Sequence, residues 1–159
     1  MREILRIPEE RKSFLIGKGG KVKEQLEEAT QTRITVKEDV DIEGEAEGVL
    51  KAKDIVQAIG RGFSPEDAFD LLQEDYQLYI IDLRGETKNT IKRLFGRVIG
   101  RKGATKRIVE QATNTKISVY GKTVSIIGDF SGVRKAADVI EDLLEGRSHA
   151  FAYRRLREQ

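Results

Sequence analysis

The chain has no cysteine and no tryptophan, and it carries one histidine, one methionine and two prolines. Without cysteine there is no disulfide framework and no thiolate metal site. The single histidine, His149, leaves too little for a zinc site or a Ser-His-Asp catalyst and reads as a surface or packing residue. No apolar run approaches the roughly 20 residues of a membrane span. The opening residues, down to Arg6-Ile7-Pro8, lack the apolar core of a signal peptide. These absences lead us to expect a soluble, cytoplasmic protein with no membrane partner, no metal and no cofactor.

What the chain has is charge. Of its 159 residues 35% are charged and 38% hydrophobic, enough to bury a core in one large domain or two small ones. The net charge of +2 conceals a division. Residues 1–75 hold 12 Lys and Arg against 18 Asp and Glu, net −6, while residues 76–159 hold 17 against 9, net +8. Segregation of this kind points one half at an anionic partner. The basic half is densest from Lys92 to Arg107, which has seven cations and no acid.

Within that run lies Val98-Ile99-Gly100-Arg101-Lys102-Gly103-Ala104-Thr105-Lys106, and an earlier copy reads Ile16-Gly17-Lys18-Gly19-Gly20-Lys21-Val22-Lys23. Sliding the chain against itself by 83 residues gives ten identities in the 21 positions 16–36, among them Gly17/Gly100, Gly20/Gly103, Glu27/Glu110, Thr30/Thr113, Thr32/Thr115 and Ile34/Ile117. A duplicated small domain explains a period that long. Each copy reads strand, helix, glycine turn, helix, two strands, helix. Residues 2–7 and 76–83 have strand composition. The first helices span residues 8–16, with Pro8 opening the helix, and the run carrying Ile91, Leu94, Phe95, Val98 and Ile99 on one face. The second helices are marked by Val22, Leu26 and Ala29, and by Ala104, Ile108 and Ala112. Thr115, Ile117 and Val119 alternate with Lys116, Ser118 and Tyr120 along a strand, whereas Val40 and Ile42 form a weaker one among the acids of residues 38–47. Ser64-Pro65-Glu66-Asp67 starts a connector helix with an apolar side. The expected boundaries are 1–62 and 76–146 for the two domains, 63–75 for the connector helix and 147–159 for a basic tail.

Glycine at both ends of a four-residue turn permits positive φ and lets a ligand backbone approach. Such a turn also serves simply to join two helices, and charge placement shifts the balance towards a ligand. A helix N-terminus disfavours cations, yet Lys18, Lys21 and Lys23 stand at one and Arg101, Lys102, Lys106 and Arg107 at the other. A bound polyanion converts that penalty into affinity. The nucleotide-hydrolysing alternative fails, because there is no Gly-x-x-x-x-Gly-Lys-Ser/Thr and Val22 stands where Gly17-Lys18-Gly19 would need its third glycine. Asp39 and Asp41 resemble a metal nuclease pair but sit in a solvated stretch without histidine, so no catalytic residue is assigned.

An isoleucine-led Gly-x-x-Gly turn between two helices, followed by Ala-Thr-x-Thr-x-Ile-x-Val, resembles the K-homology (KH) domain, and the element order resembles its type I form. The resemblance implies an α+β fold of two type I KH domains, each β-α-α-β-β-α with a three-stranded sheet on three helices. With Ala58-Ile59-Gly60-Arg61-Gly62-Phe63 before the connector, Ile81-Asp82-Leu83 opening the second copy and an arginine-rich end, the chain is more narrowly similar to the archaeal partner-of-Nob-one/Dim-two-like ribosome-assembly proteins. That family binds the 3′ end region of small-subunit rRNA. Carried over, Gly100, Arg101, Lys102 and Gly103 would be the main RNA clamp and Gly17, Lys18, Gly19 and Gly20 an auxiliary one. Arg97, Lys106, Arg107 and Lys116 would contact phosphates or bases. Val98, Ile99, Ile108 and Ile117 would line the groove, with core packing the competing assignment for Ile108 and Ile117. Arg154, Arg155 and Arg157 either extend the RNA surface or face outward while Phe151 and Leu156 dock the tail. A ribosome-maturation endonuclease or a translation initiation factor is the protein partner the resemblance implies. An mRNA-binding or initiation adaptor, and a protein scaffold with incidental RNA binding, are the competing functions.

Overall fold

The structure, a computed structural model, describes residues 1–157. It divides into two compact units, Met1–Glu74 and the residues from Asp75 onward. The first contains β1 (Arg2–Leu5), α1 (Lys12–Ile16), α2 (Lys21–Thr30), β2 (Thr32–Val36), β3 (Val40–Gly44), α3 (Ala46–Gly60) and α4 (Pro65–Ala68). The second contains β4 (Tyr76–Asp82), α5 (Lys88–Ile99), α6 (Ala104–Thr113), β5 (Lys116–Tyr120), β6 (Thr123–Asp129), α7 (Phe130–Leu144) and α8 (His149–Arg157). Each has a three-stranded antiparallel sheet in the order β1-β3-β2 or β4-β6-β5, so the last strand of each unit is central. This is the α+β architecture expected, built twice. Among the described residues no helix is long and apolar enough to cross a membrane, and no group of three or more acids or histidines is placed to hold a metal ion.

The identities of the repeat have local reasons. The second helix of each copy ends on an αL residue, Gln31 (φ 54°) or Asn114 (φ 52°), which turns the chain into the next strand. Thr30 and Thr113 then donate their hydroxyls to the carbonyls of Leu26 and Val109, each at 2.7 Å. Each also shares a hydrogen bond with the first threonine beyond the turn, Thr32 at 2.7 Å or Thr115 at 2.8 Å. Glu27 and Glu110 accept the Ile34 and Ile117 amides at 2.8 and 2.9 Å, which staples helix to strand.

Several expectations are corrected. Pro8 lies outside any helix, at ψ 142°, and a 3-10 turn, Glu9–Arg11, precedes α1. The acidic strand β3 is not weak. It is the central strand, with Val40 and Ile42 fully buried, because alternation turns Asp41 and Glu43 to the other face, where Arg2 bridges both. The Arg2 hydrogen bonds hold the Asp41 carboxyl below its ordinary value, and Asp39 pairs with Arg6 at 3.0 Å. Asp39 thus lies in the loop before β3, as expected, and Asp41 on the strand itself, each paired with one of the unit's own arginines. On α6 the buried row is Thr105, Val109 and Thr113, one residue along from the expected one, leaving Ile108 exposed. Only four residues of the connector are α-helical, capped by the Ser64 hydroxyl accepting from the Asp67 amide. A 3-10 turn, Phe69–Leu72, continues it. Lys51 of α3 reaches the Leu71 carbonyl at 3.1 Å, which ties that segment to the first unit.

The second unit's core gathers Val98, Val109, Ile117, Val124, Ile126, Val133, Ile140 and Leu143, with Ala152 of α8 buried among them and Leu156 packed against them. The C-terminal segment is thus a docked helix, seated by Ala152 and Leu156. Phe151 stays half-exposed beneath the Arg147 and Arg154 guanidiniums, and residues 158 and 159 of the expected tail lie outside the described residues. Arg154 and Arg157 face outward, but Arg155 pairs at 2.5 Å with Asp142, a carboxylate only 6% exposed that needs a partner there. Arg155→Ala is expected to lower stability by about 1.5–3 kcal/mol, the range for a hydrogen bond to a charged group. Thermal melts, with limited proteolysis reporting release of α8, measure it.

Candidate nucleic-acid interface

The two glycine turns are built alike. α5 starts at Thr87, whose hydroxyl accepts from the Thr90 amide at 3.2 Å, and runs to Gly100, where φ becomes 77° and the helix stops. Lys102 (φ 54°) and Gly103 (φ 76°) are also left-handed, and α6 begins at once. In the first unit the same places are taken by Gly17, Gly19 and Gly20, all at positive φ.

The leading glycine of each turn is required by the protein's own packing. A Cβ on Gly100 would lie 2.2 Å from the Thr105 hydroxyl oxygen, and one on Gly17 would lie 2.4 Å from Val22 Cγ2. The trailing glycines, Gly20 and Gly103, need only their positive φ, since a Cβ there meets nothing within 4 Å in the first case and only the Arg107 guanidinium at 3.1 Å in the second. Between them the side chains of Arg101 and Lys102, and of Lys18, are exposed. In the second unit two cations therefore stand at the N-terminal end of the ten-residue α6, and Lys102 holds a conformation that costs a non-glycine residue about 1–2 kcal/mol.

Other expected contact residues are occupied. Arg97 donates from Nε to the Leu143 carbonyl at 2.8 Å and from Nη2 to the Arg147 carbonyl, so it closes the C-terminal end of α7 rather than facing a ligand. A helix leaves its last carbonyls unsatisfied, and this guanidinium supplies the donors. Arg11 does the same in the first unit, reaching the Ile59 and Phe63 carbonyls at 2.8 Å each. Lys106 pairs with Glu110 at 3.5 Å, as Lys23 does with Glu27 at 3.2 Å. Arg107 donates to the Lys102 carbonyl at 2.8 Å and so braces the turn from inside. Lys116 is half-buried on β5.

Of the apolar set, Val98 is a core residue, which corrects its assignment to the groove, and Ile117 takes the core place that was its competing assignment. Ile99 is half-buried and Ile108 is 42% exposed, so these two remain as surface beside the turn. Sequence reasoning missed Tyr153 of α8, whose hydroxyl donates to Thr105 Oγ1 at 3.1 Å and ties the last helix to the residue packed under Gly100. His149 packs edge-on against that tyrosine ring, with Nε2 3.1 Å from the Arg97 carbonyl.

A family model described as the eukaryotic-type KH domain, type I, matches residues 77–159, and a KH-domain model matches residues 2–58. The chain belongs to the KH-domain family. Within it, its relatives are those named Pno1 and Dim2. A KH domain-containing protein of Methanocaldococcus jannaschii is 42% identical over 161 residues, covering 96% of this chain and 71% of that protein. The pre-rRNA-processing protein PNO1 of Candida albicans is 34% identical over 112 residues, covering 67% of this chain but 40% of its own length. Among solved structures, a Dim2p chain in an a/eIF2alpha-aDim2p-rRNA complex from Pyrococcus horikoshii superimposes with a TM-score of 0.92 at 43% identity, over 99% of this chain and 92% of that one. The KH fold gives the paired glycine turns and the packed Gly100 and Gly17 a common frame.

Proposed function

We propose that this KH protein grips single-stranded RNA, specifically the 3′ end region of small-subunit rRNA, during assembly of the small ribosomal subunit, and that it does so without catalysis, in the cytoplasm. The observation that carries the reading is the second turn. Arg101 and Lys102 project from a backbone that Gly100 and Gly103 hold against the N-terminus of α6. Two phosphates beside these cations would be neutralised while the helix N-terminus adds its own attraction. KH turns of this form clamp about four nucleotides of backbone. Ile99 and Ile108 would then lie under the bases, and the clamp residues Gly100, Arg101, Lys102 and Gly103 would dominate over Gly17, Lys18, Gly19 and Gly20.

The rRNA in the Pyrococcus complex and the processing role named for the Candida relative support the choice of RNA. The same complex contains an initiation-factor α subunit, and on that ground we propose such a subunit as a protein partner. Sequencing RNA crosslinked to the protein in cells tests the assignment. The expected result is one dominant peak at the 3′ end of small-subunit rRNA, and a spread over mRNA leaders would move the protein to an mRNA adaptor role.

A further inference from the structure

The second turn has a brace that the first cannot have. Thr105, 4% exposed, lies beneath Gly100, and its Oγ1 accepts a hydrogen bond from the Tyr153 hydroxyl at 3.1 Å, 48 residues along the chain. Tyr153 belongs to α8, which Ala152 and Leu156 seat on the core and the Arg155–Asp142 pair fastens to α7. His149 packs edge-on against the tyrosine ring, with centroids 6.0 Å apart, and its Nε2 lies 3.1 Å from the Arg97 carbonyl in the last turn of α5. The last helix thus bears on the residue under the leading glycine. From another side, Arg107 donates to the Lys102 carbonyl at 2.8 Å. The 83-residue shift puts Val22 in place of Thr105 and Glu24 in place of Arg107. Neither can make the corresponding hydrogen bond, since valine has no hydroxyl and a carboxylate has no proton to donate.

The brace answers a need specific to this turn. Where the first turn has Gly19, the second has Lys102 at φ 54°, a conformation that a non-glycine residue adopts only at a cost. Relaxation of Lys102 to negative φ would relieve that strain and open the turn, whose Gly103 amide donates to the Gly100 carbonyl at 3.2 Å. A turn balanced in this way keeps its gripping form through what surrounds it. Any fraction of molecules with the turn open weakens binding in proportion.

We infer that Tyr153 is a positioning residue for the RNA clamp. By holding Thr105 under Gly100 it keeps the second turn in the form that grips phosphate, and it acts through the turn rather than through contact with RNA. The inference rests on the proposed RNA function and deepens it. It gives the second turn an advantage over the first that is separate from charge.

The test titrates the full chain with a labelled rRNA 3′-end oligonucleotide of about 20 nucleotides. Tyr153→Phe keeps the ring and its packing, and it is expected to weaken binding about 2- to 10-fold, the range for one lost hydrogen bond. Thr105→Val should do the same, the two together should cost no more than either alone, and Thr105→Ser, which keeps the hydroxyl, should bind like wild type. The salt slope should be unchanged, because no phosphate contact is lost. In the RNA-free protein the Gly103 amide of Tyr153→Phe should exchange its hydrogen faster, while the β6 amides exchange as in wild type. Added to the pair Arg101→Asp, Lys102→Asp, Tyr153→Phe should cost nothing further, whereas a merely structural role would cost the same in either background. Wild-type affinity for Tyr153→Phe, or an equal loss in both backgrounds, would overturn the positioning role while leaving RNA binding intact. Absence of single-stranded RNA binding by wild type would overturn the proposed function and the positioning role with it.

Discussion

Replacing Arg101 and Lys102 with aspartate is expected to weaken binding of an rRNA 3′-end oligonucleotide by about 100-fold or more. Each lost charge-assisted contact is worth roughly 1.5–3 kcal/mol where solvent is excluded and less where it is not. The salt dependence should also flatten, by about 0.7 in log-log slope for each phosphate released. The fold should survive, since both side chains are exposed and aspartate tolerates the positive φ of position 102. The matched change in the first unit is Lys18→Asp with Lys21→Asp, because Gly19 sits at φ 63° and its substitution would confuse strain with charge. That pair should cost only a few-fold by charge, the first unit holding on through its weaker clamp. Equal losses at the two turns, in fluorescence titrations over a salt series, would remove the ranking of second over first.

The sequence carried the architecture because both copies repeat the residues that make it. The two threonines that lock the second helix to its strand, the glutamate that accepts an amide from that strand and the leading glycine of each turn all recur at one spacing. What it did not carry was which cations are spoken for. Arg97, Lys106 and Arg107 stand close to the turn in sequence, and a sequence does not display the partners each has within the fold. Their partners are carbonyls 46 and 50 residues away, a glutamate one helical turn on, and the carbonyl of Lys102. The strength of β3 was hidden for a similar reason. Its acids are neutralised from β1, which lies next to it in the sheet but about 40 residues away in the chain. The shift of the buried row on α6 from Ala104, Ile108 and Ala112 to Thr105, Val109 and Thr113 has another cause. Thr113 buries its hydroxyl against the Val109 carbonyl, and that lets a nominally polar row face the core. A further spacing was missed because the copies slip by one residue. Gly48 and Gly132 both stand where a Cβ would strike a helix-ending carbonyl, that of Thr30 at 2.1 Å or of Thr113 at 2.4 Å.

The largest expected effects on stability are also at the turn, and they separate what glycine does there for the fold from what the neighbouring residues do for a ligand. Gly100→Ala combines a left-handed backbone with a Cβ 2.2 Å from Thr105 Oγ1 and 2.7 Å from the Thr105 amide nitrogen. The amide cannot move without unwinding the start of α6, and Thr105 is itself held by Tyr153. Backbone strain of about 1–2 kcal/mol and overpacking of about 1–3 kcal/mol add in the same direction. A loss of roughly 3 kcal/mol, read from denaturant midpoints at constant slope, is therefore expected. Gly103→Ala should cost about 1 kcal/mol, since only φ is offended and the neighbouring Arg107 is the end of a flexible side chain. Lys102→Gly should go the other way, gaining up to about 1 kcal/mol by relieving a non-glycine residue at positive φ. That same variant removes a cation from the clamp and should bind RNA more weakly. A protein that becomes more stable as it loses affinity identifies Lys102 as a residue held in strain for the sake of its charge. If Lys102→Gly changed neither quantity, the turn would be a helix connector and nothing more.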